Sequence, residues 1–134
     1  MLLLDASVWV AAKDAGDRYF KSARPLVLDP SSPVAALDLT FYEVANALGA
    51  KRGHHAVAHE LCRTIAERCS EKIVAVDAAL VGSALEVAAE HGLTAYDAAY
   101  VAAARRHGWT LVSADIADLV SKGLAVAPDA ADYP

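Results

Sequence analysis

Apolar residues along this chain fall into short blocks separated by longer stretches of helical spacing. Leu2–Leu4 is an apolar run that reaches an acid at Asp5, and Val8–Ala12 follows at once, which predicts a strand turning directly into a helix. The short buried-strand pattern recurs at Val34–Leu39, Ile73–Val76, Thr110–Ser113 and Leu124–Ala127. Between these blocks, helices are predicted over Gly16–Ala23, where Arg24 and Pro25 break the pattern, and from Phe41 to about Arg52, ended by Gly53. Three more follow: His54–Cys69 with Val57, Leu61 and Ile65 on one face, Ala78–His91 stopped by Gly92, and the Ala-rich stretch between Thr94 and Gly108. A short helix carrying Asp118, Leu119 and Val120 precedes the last strand, and Asp29–Pro33 is turn chemistry.

Strands alternating with helices at this spacing imply an α/β fold, a parallel sheet of about five strands with helices on both faces. The strands begin near residues 2, 34, 73, 110 and 124. No repeat or linker divides the 134 residues, so residues 1–134 are expected to form one domain. Such a chain buries roughly two-thirds of its unfolded surface and needs no metal or disulfide staple.

Composition narrows the function. A formal net charge of −5 argues against a general electrostatic grip on nucleic acid, although acids gathered on a divalent cation would leave the twelve Lys and Arg free to line a substrate path. No apolar window is long enough to span a bilayer, and the first residues lack a basic n-region and a cleavage site. A cytoplasmic protein without a membrane segment is expected. Cys62 and Cys69, seven apart on one helix, lie about 10 Å apart along its axis and read as reduced thiols. His55 and His59 share a helix face next to His54, but no third ligand of suitable spacing follows, so they read as solvated and not as a zinc site.

The candidate chemistry lies in four acids. Asp5 and Asp115 follow strands, Glu43 sits on the first turn of a helix after a strand, and Asp97 opens a helix that feeds one. Three of them have a local alternative: Asp5 can cap the helix after it, and Glu43 and Asp97 stand three residues after Thr40 and Thr94 in capping-box position. Together they say more, because parallel strands all exit on one edge and ligands bind there. Four carboxylates in one pocket would repel by several kcal/mol unless a cation sat between them, and Mg²⁺ or Mn²⁺ prefers such oxygens. A bound ion of this kind activates water and stabilises charge on a phosphodiester, which is hydrolytic nuclease chemistry. Ser7 and Ser113, each two residues from an acid, can bond a carboxylate, a water or a phosphate, or can simply serve as cap and turn residues.

The same segments resemble the PIN-domain ribonucleases and, within them, the VapC-type toxins of bacterial toxin–antitoxin pairs. The matching pieces are Leu4–Ser7, Glu43–Leu48, Gly92–Tyr100 and Leu111–Asp115, with Leu93-Thr94-Ala95-Tyr96-Asp97-Ala98-Ala99-Tyr100 the most specific. The resemblance implies a PIN fold, a Mg²⁺- or Mn²⁺-dependent endoribonuclease cutting RNA, and inhibition by a cognate VapB-type antitoxin. Asp5, Glu43, Asp97 and Asp115 correspond to the family's acidic metal site; Asn46, one turn after Glu43, would support it, and Ser113 stands where relatives often carry Thr. Asp118 occupies a position where relatives can carry a further acid, and reads here as a helix-surface residue. The helical hairpin from Phe41 to Cys69 would receive the antitoxin, an amphipathic segment whose inserted Arg or Lys neutralises the acids. A homodimer is implied, with Trp9 and Tyr100 as contact candidates unless they are core.

Two other functions share part of this pattern. Aspartyl-phosphate chemistry, as in haloacid dehalogenase-like phosphatases or receiver domains, also places an Asp after the first strand, but the phosphatases need a second Asp where this chain has Ser7, and no Lys follows the later strands in the usual place. A PIN-like module that only binds a partner would lack one of the acids, and all four are present.

Overall fold

The computed structural model describes residues 1–133. Its centre is a parallel sheet of β1 (Leu2–Leu4), β2 (Val34–Leu37), β3 (Ile73–Val74) and β4 (Thr110–Val112), in the order β3-β2-β1-β4. Leu2 stands opposite both Val34 and Thr110, so the N-terminal strand is the middle of the sheet. The segment around Leu124–Ala127 does not form a full fifth strand. It contributes one parallel bridge, Val126 opposite Val112, with Val126 N donating to Leu111 O at 2.9 Å and Ser113 N donating to Val126 O at 3.0 Å.

Because side chains alternate across a strand, the sheet builds two cores. Leu2, Leu4, Val34, Ala36 and Val112 face α1 (Ala6–Ala11), α2 (Phe20–Leu28) and α4 (His55–Cys69). Leu3, Ala35, Leu37 and Leu111 face α5 (Ala78–His91) and α6 (Ala95–His107). Every residue from Ala98 to Ala104 is buried, since α6 is enclosed between the sheet and α5 and must be apolar on all sides. Alanine permits that close approach.

The expected helix ends at Gly53, Gly92 and Gly108 all carry positive φ, and Asp77 and Thr94 are N-caps with side-chain bonds to Leu80 N and Asp97 N. Three local expectations change. The helix anticipated over Gly16–Ala23 instead runs Phe20–Leu28, straight through Pro25, because burial of Ala23, Leu26 and Val27 outweighs the bond that proline cannot donate. Thr40 is not a cap: α3 (Leu39–Val44) begins two residues before the expected Phe41, and the Thr40 hydroxyl is buried inside the turn. Beyond Val44 the helix widens into a π-helical segment, Ala45–Ala50, with Lys51 N donating to Asn46 O at 2.9 Å.

Trp9 and Tyr100, offered as dimer contacts, are 0% and 1% exposed and belong to the core. Both cysteines are free, and burial pushes the Cys69 thiol up to about 12, where it is inert. Among the described residues no helix is long and apolar enough to cross a membrane.

Candidate metal centre

The exits of β1, β2 and β4 share an edge, and the four acids meet there. Asp5, Glu43, Asp97 and Asp115 line one cleft of about 100 Å³ together with Ala6, Ser7 and Tyr100. Asp5 ends β1 and caps α1, accepting from Val8 N at 3.4 Å. Asp115 lies beyond β4, where its Oδ1 accepts from Asp118 N at 3.0 Å and starts a short π-helical turn, Ile116–Val120. Glu43 comes from α3 and Asp97 from the first turn of α6.

Neither capping-box alternative holds. Thr94 Oγ1 accepts from Asp97 N at 3.2 Å, which fixes where α6 begins, but the Asp97 carboxylate accepts no hydrogen bond among the described residues. Glu43 Oε1 accepts instead from Tyr100 Oη at 2.7 Å. Tyr100 Oη is 2.8 Å from Thr40 Oγ1, which accepts from Leu37 N at 3.3 Å, so a directed chain runs from the end of β2 through two hydroxyls to the glutamate. Tyr100 is therefore a site residue that sequence reasoning placed elsewhere. Its signal was its position three residues after Asp97 on a helix, which sets both side chains on one face.

The two serines tie neighbouring strand exits together. Ser7 Oγ donates to Asp5 Oδ1, accepts from Ala114 N at 2.9 Å and lies 3.4 Å from Ser113 Oγ. Ser113 Oγ in turn accepts from Asp115 N at 3.0 Å. Asn46 lies outside this cleft, lining a larger one next to it, and makes no hydrogen bond to Glu43 among the described residues.

Burial and neighbouring charge raise three of the carboxyls, Asp5, Glu43 and Asp97. Burial pushes the Asp5 carboxyl up to about 6, against the hydroxyls of Ser113 and Ser7 and the Val8 amide, which pull it down. Glu43 is raised by burial and by Asp97, partly offset by the Tyr100 hydroxyl. Asp97 is raised by burial and then by Asp115 and Asp118, with Lys122 acting the other way. Asp118, read from sequence as a surface position, is exposed but joins the tightest group: one carboxylate oxygen each from Asp97, Asp115 and Asp118 lie within 4.8 Å of one another. At that separation two full charges repel by roughly 3 kcal/mol at an effective dielectric constant near 20.

These donors fit a hard divalent cation. They are carboxylates without a His or Cys among the residues lining the cleft, they come from separate backbone segments, and no basic side chain lines the cleft to neutralise them.

The PIN domain family model matches residues 2–118. Among curated proteins none matches the chain. Several solved structures are similar. PAE2754 from Pyrobaculum aerophilum is 26% identical, with 96% of this chain and 90% of that one covered and a TM-score of 0.68. VapC20 from Mycobacterium tuberculosis, described as a sarcin–ricin loop cleaving toxin, is 23% identical over 92% of this chain and 95% of its own, with a TM-score of 0.70. A toxin–antitoxin complex from Klebsiella pneumoniae contains a chain 19% identical, with 96% and 98% covered and a TM-score of 0.68.

Proposed function

Because the chain belongs to the PIN domain family, we propose that it is a Mg²⁺- or Mn²⁺-dependent endoribonuclease of the VapC toxin type, restrained by a cognate antitoxin. The observation that carries this is the convergence of Asp5, Glu43, Asp97 and Asp115, from four separated segments, on one cleft at the exit edge of a parallel sheet. Those four carboxylates would hold the ion, and Asp118 adds a fifth oxygen donor on the open side. A divalent ion bound there lowers the pKa of a water and neutralises charge on the scissile phosphodiester.

The chain's own residues set the geometry. Tyr100 pins one glutamate oxygen and leaves Oε2 of Glu43 for the cleft. Ser7 and Ser113 keep the loops after β1 and β4 at a fixed separation, so Asp5 and Asp115 cannot drift apart. Thr94 fixes the start of α6 and leaves the Asp97 carboxylate uncommitted.

The antitoxin would lie along the hairpin of α3, the π-helical segment and α4, as an amphipathic segment in a groove with a basic side chain directed at the acids. A homodimer belongs to the same reading, with Val81 and Leu85, exposed on α5, as apolar contact area. The enzyme would act in the cytoplasm.

Purified chain, freed of antitoxin, is expected to cut total RNA into discrete fragments with Mg²⁺ or Mn²⁺ and to stop in EDTA. Asp97→Asn should abolish cleavage. Cutting that survives in Asp97→Asn would refute the site.

A further inference from the structure

The acid cleft opens into a second, larger one of about 580 Å³, and the two share Ala6, Ser7 and Glu43. Beyond that shared wall the larger cleft presents Tyr42, Tyr96, Asn46 and Lys51. Tyr42 and Tyr96 are 76% and 60% exposed, an unusual expenditure of aromatic surface in a chain whose Tyr19 and Tyr100 are buried. Each ring directly precedes an acid of the site, Tyr42 before Glu43 and Tyr96 before Asp97. Adjacent residues on a helix point about 100° apart, so both helices that deliver a carboxylate to the small cleft also deliver a ring to the rim of the large one.

We propose that this larger cleft is a base-binding subsite, in which Tyr42 and Tyr96 stack an unpaired RNA base beside the scissile phosphate and the Asn46 amide reads the base edge. The proposal rests on the endoribonuclease reading for the position of the phosphate. Aromatic faces bind bases of single strands because those bases have lost their own stacking neighbours, whereas bases in a duplex are already covered. An amide offers a donor and an acceptor together, the pairing that a base edge requires. Lys51 is the one basic residue among those lining either cleft, and its ammonium would attract an adjoining phosphate. In a chain of net charge −5, that placement supplies local attraction which the whole surface does not. The subsite thus gives the acids a substrate register that five carboxylates alone cannot provide.

Two measurements test it. In steady-state cleavage of a single-stranded RNA with Mn²⁺, Tyr42→Ala and Tyr96→Ala should each raise KM roughly tenfold while kcat stays within about twofold. Tyr42→Phe and Tyr96→Phe, which keep the ring face, should leave KM unchanged. Independently of cleavage, RNA containing 2-aminopurine at the unpaired position should lose fluorescence on binding the Asp97→Asn chain, and the loss should vanish when both tyrosines are Ala. Quenching unaffected by the double substitution overturns the subsite, whether or not RNA is cut. Ring-dependent quenching by a chain that never cuts RNA would uphold the subsite and overturn the nuclease reading instead. If the double variant keeps its quenching but changes from dimer to monomer on sedimentation, the rings belong to a contact between two copies and the subsite is refuted.

Discussion

The Tyr100 hydroxyl donates to Glu43 across 2.7 Å, joining α6 to α3 over 57 residues of sequence. The bond favours the ionised glutamate and works against the burial and the Asp97 charge that raise its pKa.

Tyr100→Phe removes this donor and leaves both Thr40 Oγ1 and Glu43 short of a partner while the ring still fills its place. A loss of about 1–2 kcal/mol at pH 7 is expected from urea unfolding. Glu43 should then hold its proton to higher pH, moving the acid limb of the pH–rate profile upward. A profile that stays in place would show that Tyr100 does not tune Glu43.

Asp5 makes stability depend on pH in an unusual direction. Its carboxyl titrates near 6 in the folded chain against an ordinary 3.8, so the native state binds the proton more tightly than the unfolded state. That contribution is fully present below about pH 4 and is lost as pH rises through about 6. It is worth at most about 3 kcal/mol. In EDTA, the melting temperature of Asp5→Asn should therefore exceed that of the parent chain at pH 7, and the two should converge near pH 4. Asn still accepts from Val8 N and Ser7, so the cap is retained. Added Mg²⁺ should raise the melting temperature of the parent chain at pH 7 and have little effect at pH 4. Equal EDTA melting curves for parent and variant at pH 7 would contradict this assignment.

Asp118 and Asp97 differ in burial and should differ in weight. Calorimetric titration with Mn²⁺ should show affinity falling about tenfold in Asp118→Asn, within the range seen when peripheral groups at metal sites are removed. Asp97→Asn should abolish measurable binding. Equal losses would mean that Asp118 holds the ion as strongly as Asp97 does.

Much of this architecture is readable along the chain. The apolar blocks at Leu2–Leu4, Val34–Leu37 and Thr110–Val112 announce parallel strands because strands covered on both faces need no polar alternation. Gly92 and Gly108 mark helix ends because only glycine adopts positive φ without cost. Asp5, Glu43, Asp97 and Asp115 are legible together because parallel strands must all exit on one edge, so acids at those exits are neighbours whatever their separation in sequence.

Other features depended on packing between segments that sequence proximity does not relate. Thr94 and Asp97 have capping-box spacing, yet the Asp97 carboxylate is left to the cleft; Thr40 and Glu43 share that spacing, yet Thr40 is inside its helix and bonds Tyr100. Local propensity gives the two alternatives nearly equal energies, and the partner arriving from across the fold decides between them. The same holds for Pro25, carried through a helix by the core beneath it, and for Asp118, brought to the acids by one widened turn. For the Thr94–Gly108 stretch, then, local signals alone set a helix that begins at Thr94 and ends at Gly108. That its first carboxylate faces the cleft and that Tyr100 bonds Glu43 follow from packing across the fold, because hydrogen bonds and charge repulsion act over ångströms and a chain brings distant residues that close only when it folds.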